Sequence, residues 1–333
     1  MDRAVIEQVL NAFRYFMARK APWAGAARVG LPRTFEPVPA DERMARAKVF
    51  DPALQHFSRG FRLGEPEFAD ADLGVRWRAA RRMAMEHLLN IVVDSPWQEN
   101  LVLRGSLVLP AWLGDAARPP GDMDWVVTPK TIHVSDLWAG RLFKDLTARV
   151  AAHPQVQDVT LLLEHVASDE IWTYDRAPGK RIVFPFRCGE LPAGVVQMDF
   201  VFCEDLPAAP VLTDIPAADG SVIRCRTASP EMSLAWKILW LETDQYPQGK
   251  DLYDATLLAE QTPLPLELLK RTFDAASPHI GYQPNLTAQM PLRWNVDWEN
   301  FQLEYPQVGG DAEAWKARLS KALSATLPPA KDD

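Results

Sequence analysis

The stretch Val195-Val196-Gln197-Met198-Asp199-Phe200-Val201-Phe202 constrains this chain more than any other, because it sets one carboxylate in the middle of an otherwise apolar strand pattern. A charge taken out of water without a partner costs several kcal/mol, so Asp199 demands a cation, a hydrogen-bond network or a frayed strand end. Whatever fold the chain adopts has to bring one of these to that position.

A second acidic feature lies upstream in Gly121-Asp122-Met123-Asp124-Trp125-Val126-Val127. Alternate residues of a strand face the same side, so the carboxylates of Asp122 and Asp124 repel each other unless a cation lies between them. Magnesium suits such a pair, since it takes carboxylate oxygens and keeps positions for water and phosphate. Further upstream, Leu101-Val102-Leu103-Arg104 runs as an apolar strand into Gly105-Ser106 and a short helix over 107–113. A junction of this kind presents backbone N–H groups and a hydroxyl to an anion, and the glycine permits close approach of a phosphate.

From residue 101 to about 227 short apolar runs alternate with helical ones, the pattern of a mixed α/β layer. The expected strands cover 101–104, 125–127, 156–163, 171–174, 181–186, 195–202 and 222–226, with a helix capped by Ser135 running to residue 152. A helix over 72–93 precedes them, with Trp77, Ala80, Ala84, Leu88 and Ile91 on one face and Arg78 and Arg82 on the other. After residue 227, Ser229-Pro230-Glu231 is a cap, first-turn proline and first-turn acid that open a helix to about 243. Helices over 250–260, 264–275 and 312–327 follow, while Trp294 and Trp298, alternating with Val296, suggest a late extended segment packed into the core. At the other end, Asp2 can cap a helix carrying Val5, Val9, Ala12, Phe13 and Phe16 until Pro22, and 22–39 is expected to be irregular. With 333 residues the chain exceeds a single core, and it divides into an N-terminal helical and irregular segment (1–70), a core (71–227) and a C-terminal helical region (228–333).

Composition excludes several classes. With 36 basic against 44 acidic residues the formal charge is -8, which argues against a broad nonspecific nucleic-acid surface and leaves room only for a local basic groove. The three cysteines form no CxxC pair, so neither a zinc knuckle nor a disulfide framework is indicated, and they suit a reducing cytoplasm. No run of about 18 apolar residues exists, so no membrane contact is expected. HExxH, GxxxxGK[ST], GxSxG and GxGxxG are all absent.

Gly105-Ser106, then Asp122-x-Asp124, then Asp199 on a neighbouring strand resembles the DNA polymerase beta type of nucleotidyltransferase. More narrowly, the chain resembles the AbiEii/AbiGii nucleotidyltransferase toxins. Leu103-Arg104-Gly105-Ser106-Leu107 and Arg118-Pro119-Pro120-Gly121-Asp122-Met123-Asp124 carry the likeness, with Leu234-Ala235-Trp236-Lys237-Ile238-Leu239 and, most specifically, Lys250-Asp251-Leu252-Tyr253-Asp254. It extends over about 101–260. Arg104 stands where that family usually has lysine, and Pro119-Pro120-Gly121 replaces a serine-containing segment.

The resemblance implies an α/β (α+β) nucleotidyltransferase core with a mixed sheet, flanked by N-terminal helices and a C-terminal helical region. Asp122, Asp124 and Asp199 would hold magnesium, or manganese in its place. Lys237, Asp251 and Asp254 would complete the catalytic set, and Arg104, Gly105, Ser106 and Lys237 would bind the NTP. Lys237 sits mid-helix among Trp236, Ile238 and Leu239, where an amine needs an anionic partner, and Asp251 and Asp254 share a helix face. The implied activity is transfer of NMP to an acceptor hydroxyl at an RNA 3′ end, with tRNA as the expected acceptor. It would be that of a toxin in a toxin–antitoxin or abortive-infection system with a cognate antitoxin. Arg78 and Arg82, with Arg76 and Arg81, would supply the RNA patch. Two other readings fit the same motifs: transfer to a small-molecule or protein hydroxyl, and a catalytically silent nucleotide-binding partner protein.

Overall fold

A computed structural model describes residues 30–173, 176–280 and 284–330. The first helix expected from Asp2 lies outside the described residues. Within the segment before residue 70, two antiparallel ribbons form: β1 (Met44–Ala45) pairs with β4 (Glu67–Phe68), and β2 (Lys48–Phe50) pairs with β3 (Phe61–Leu63). Strands of two or three residues carry no periodicity, which is why the sequence pattern does not announce them.

Asp70 caps α1 (Ala71–Val93) by accepting from the backbone N–H groups of Asp72 and Leu73 at 2.9 and 3.2 Å. The apolar stripe of α1 is buried as its spacing requires, with Trp77, Ala80, Ala84, Leu88 and Ile91 all inside. The chain then runs through β5 (Leu101–Arg104), α2 (Leu109–Leu113), β6 (Met123–Val127), α3 (Leu137–Ala152), β7 (Gln155–Val156), β8 (Val159–Leu161), β9 (Ala167–Thr173), β10 (Ala177–Cys188), β11 (Gly194–Val201), β12 (Val211–Pro216) and β13 (Val222–Thr227). The strand expected over 156–163 is broken into β7 and β8 by a turn at Gln157, whose φ is +48°. β12 was not expected: its Val211 and Leu212 are exposed and Pro216 ends it, so neither alternation nor a continuous apolar run marks it.

β12, β13, β5, β6, β11, β10, β8 and β7 lie in that order in one sheet, and β9 pairs with β10 as its ninth strand. The sheet is mixed, as expected, because β6 runs parallel to β11 and β13 parallel to β5 while the other pairs are antiparallel. Alternation sorts its two faces. Leu101, Leu103, Trp125, Met198 and Phe200 pack under α1 and α3, whereas Val102, Val126 and Val201 point to the opposite side.

That opposite side is covered by the helices after β13. They are α4 (Pro230–Thr243), capped by Ser229 as the sequence indicated, α5 (Gly249–Gln261), α6 (Leu266–Ile280), α7 (Trp298–Glu304) and α8 (Ala312–Leu323). Trp294 and Trp298 are buried but not in an extended segment. Trp294 follows a 3-10 turn over Met290–Arg293, and Trp298 opens α7 with Asp297 as its cap. No helix of the described residues is long and apolar enough to cross a membrane.

Trp77 ties α1 to the sheet. Its ring packs against Phe68 and Phe186 and its Nε1–H donates to the Pro192 carbonyl at 3.0 Å. Trp77→Ala should therefore cost about 3–5 kcal/mol of unfolding free energy in urea titration. A loss under about 1 kcal/mol would mean that α1 does not pack as described.

Candidate active site

The strand register builds a row of charge across four strands. Asp124 of β6 is the parallel partner of Asp199 on β11. Arg104 of β5 lies opposite Asp124, and Arg181 of β10 lies opposite Asp199. Residues paired across strands share a face, so Arg104, Asp124, Asp199 and Arg181 stand side by side on the side covered by α4 and α5. Asp122, two positions before Asp124, joins them at the strand mouth.

Gly105 and Ser106 shape that mouth. Gly105 has a φ of +79°, and a Cβ there would lie 2.4 Å from Asp124 Oδ2, so only glycine lets the turn pass the carboxylate. The Ser106 hydroxyl donates to Asp122 Oδ1 at 3.3 Å and accepts from the Gly121 N–H at 3.3 Å, linking the Gly-Ser turn to the acidic strand.

Crowding three half-buried acids perturbs all of them. Burial, then the charges of Asp122 and Asp199, push the Asp124 carboxyl up to about 8. Burial also works against the Asp122 carboxylate, yet the positive fields of Lys250, Arg118, Arg62 and Arg181 hold it below its ordinary value. Asp199 is pushed upward by burial and by Asp122 and Asp51, against the pull of Arg181. Arg181 grips Asp199 through Nε and Nη2 at 2.9 and 2.8 Å and reaches Asp51 through Nη1 at 2.6 Å. Among the described residues, no group of three or more His, Cys, Asp or Glu side chains has the geometry to hold a metal ion.

This arrangement of a Gly-Ser turn and register-paired acids falls inside a family match. Residues 87–325 match the family described as the nucleotidyl transferase AbiEii toxin of type IV toxin–antitoxin systems. The chain belongs to the AbiEii nucleotidyl transferase toxin family. No curated protein matches it. The matched region begins within α1 and ends after α8, so it contains the acid row and every site residue named from the sequence, but not β1 to β4.

The AbiEii region also holds a second charge cluster. Lys237 Nζ, mid-way along α4, donates to Asp251 and Asp254 of α5 at 3.0 and 2.9 Å. Arg118 adds a bidentate pair to Asp254, both bonds 3.0 Å, and reaches the Tyr305 hydroxyl at 3.2 Å. All four charges are buried. Burial disfavours each ion, but mutual attraction prevails: Asp254 is held below its ordinary value and Lys237 above its own. Lys237 thus has protein carboxylates as its partners, and Arg118, Lys237, Asp251 and Asp254 bolt the loop before β6 to α4 and α5.

Arg104 is likewise engaged. Its guanidinium pairs with Glu204 at 2.8 Å and stacks over Trp236 and Trp240, 4.7 and 5.0 Å from the ring centroids. Lys250 differs: half-buried in the first turn of α5, it is the strongest of the cations acting on Asp122 yet makes no hydrogen bond or ion pair among the described residues. Gly249 before it lets the start of α5 pack against α7, since a Cβ there would meet Phe301 Cβ at 2.5 Å.

Asp51, Arg181 and Lys250 were not named as site residues from the sequence. Asp51 lies in an irregular segment, where Asp51-Pro52 signals a cap but not a site; it does cap a 3-10 turn, accepting from the Ala53 N–H at 3.0 Å. Arg181 was readable only as a charge inside an apolar strand whose register was unknown. The expected arginine patch on α1 is only partly present. Arg76 and Arg78 are exposed, but Glu65 draws Arg81 into the interior, and Arg82 is tied to Glu86 and the Pro216 carbonyl.

The Asp124 shift makes a stability prediction. Its folded value of about 8 exceeds the ordinary 3.8, so the folded protein keeps a proton that the unfolded chain has already released. That contribution is complete below about pH 4 and is lost as pH rises toward about 8. In metal-free buffer the Asp124→Asn variant should out-melt the wild type by an amount that grows from pH 5 to pH 8, reaching roughly 5 °C. Parallel melting curves across that range would contradict the assignment.

Proposed function

We propose that the protein is a magnesium-dependent nucleotidyltransferase that moves NMP from an NTP to an acceptor hydroxyl at the 3′ end of an RNA, with tRNA as the acceptor. In this reading it acts in the cytoplasm as the toxin of a system with a cognate antitoxin. The observation that carries the reading is the in-register pair Asp124 and Asp199, with Asp122 at the same strand mouth, in a chain of the AbiEii family.

The residues present fit a hard divalent cation. Asp122 and Asp124 offer only oxygen donors, and the rise of Asp124 to about 8 marks a like-charge cluster that such a cation would relieve. Magnesium, or manganese, would be held by Asp122 and Asp124, with Asp199 joining once one of its oxygens is released by Arg181. Asp51 supports that release, because it gives Arg181 a second anchor. Bound there, the ion would supply charge neutralisation at the α-phosphate and acidify the attacking hydroxyl.

The remaining roles belong to the chain. The acceptor oxygen forms its bond to the α-phosphorus as the bond to the bridging oxygen breaks, and pyrophosphate leaves. Asp199 takes the acceptor's proton. Gly105 lets the turn pass close to Asp124, Ser106 ties that turn to Asp122, and the Lys250 ammonium neutralises the departing charge. Arg104, Lys237, Asp251 and Asp254 act through position: held by their own ion partners, they fix α4 and α5 over the acid row. Arg181's hold on both Asp199 oxygens favours the silent-protein reading, and metal-dependent turnover would remove that reading.

Asp122→Asn, Asp124→Asn and Asp199→Asn should each lower the transfer rate at least a hundredfold, about 2.7 kcal/mol of barrier, and leave the protein folded. Chelation should stop transfer and added magnesium restore it. A variant keeping more than about a tenth of the wild-type rate would remove that residue from the site. Labelled NTP offered with total RNA, protein and metabolite pools tests the acceptor. Label should enter tRNA and fall steeply as salt rises from about 50 to 200 mM. Label confined to protein or metabolites, with a shallow salt dependence, would replace RNA with another acceptor.

A further inference from the structure

A cleft of about 50 Å³ lies between β2, the α4–α5 turn and α7. Phe50, Arg62, Tyr246, Lys250 and Glu304 are among the residues lining it. Arg62 is spent on a bidentate pair with Glu304, both bonds 2.7 Å, which leaves the Lys250 ammonium as the cation available to a ligand there. Asp51, between the lining residues Phe50 and Pro52, pairs with Arg181, which in turn holds Asp199, so one ion-pair chain joins the cleft wall to the acid row.

The rim is aromatic. Among the described residues, Phe50 at 38% and Tyr246 at 42% are the exposed members of the Phe, Tyr and Trp set. They are in contact with each other, ring centroids 5.2 Å apart at 70°. Rings of this size are usually buried, and here two from distant parts of the chain are kept in water at one place. Phe50 comes from β2, outside the region matched to the AbiEii family.

We infer that Phe50 and Tyr246 form a stacking edge for the nucleobase of the NTP whose phosphates meet Lys250. This rests on the nucleotidyltransferase reading above and adds the base subsite to it. The cleft suits a phosphate-sized group, which leaves the base on the rim against the two rings. Every base has a π face, so such an edge holds ATP, GTP, CTP and UTP without reading their hydrogen-bonding edges.

The test is titration calorimetry of the full-length protein, in magnesium, with the α,β-methylene analogues of all four NTPs and with inorganic tripolyphosphate. Phe50→Ala and Tyr246→Ala should each weaken the four analogues about tenfold and leave tripolyphosphate affinity unchanged. Lys250→Ala should weaken both kinds of ligand. Tyr246→Phe should bind like the wild type, whereas Tyr246→Leu, which keeps apolar bulk without a π face, should behave like Tyr246→Ala. If the alanine and leucine variants stay within twofold of the wild type while Lys250→Ala loses affinity for both ligand types, the stacking edge is overturned and the nucleotide reading stands. A wild-type protein that binds neither the analogues nor tripolyphosphate overturns both.

Discussion

The parallel pairing of β6 with β11 is the constraint on which the rest of the structure turns, because its register puts Asp124 beside Asp199 in the interior. Two half-buried carboxylates on neighbouring strands are unfavourable by desolvation and by repulsion together. The surrounding chain answers with cations from every side: Arg104 and Arg181 on the flanking strands, and Lys250 and Arg118 from the covering helices and loop. Compensation is incomplete, since Asp124 still rises to about 8. Burial and the like charges of Asp122 and Asp199 together outweigh the pull of these cations on Asp124.

Positioning depends on a second set of charges, which pair with one another. Lys237, Arg118, Asp251 and Asp254 neutralise one another at the junction of α4, α5 and the loop before β6. Breaking one member of a buried set leaves an uncompensated charge and costs about 3–5 kcal/mol, so this junction is costly to disrupt. The ribbons before α1 contribute in the same currency. Asp51 pairs with Arg181, Arg62 with Glu304 and Glu65 with Arg81, joining that segment to the sheet, to α7 and to α1. The ribbons thus close one side of the site, although they lie outside the family match.

Much of this was legible in the sequence because local signals agreed with the final packing. Ser229-Pro230-Glu231 marks the start of α4, the apolar stripe of α1 gives its buried face, and the lone acid in β11 identifies Asp199 as a residue needing a partner. What that partner would be was not legible. Arg181 is separated from Asp199 by 18 positions and meets it through an antiparallel register that no local pattern encodes. Lys237 shows the same limit: an amine among apolar residues announces a need for an anion, which a triphosphate or protein carboxylates could meet, and Asp251 and Asp254 are within reach only once α4 and α5 pack. The ribbons and Asp51 were hidden for another reason, since strands of two or three residues have no period to read.

Anomalous diffraction at the manganese edge from crystals grown with manganese and a non-reacting NTP analogue tests the central claim most directly. The acid-row account predicts a manganese peak between Asp122 and Asp124, with Arg181 turned from Asp199 toward Asp51. A peak elsewhere, or none at saturating manganese while Arg181 still grips both oxygens of Asp199, would contradict it.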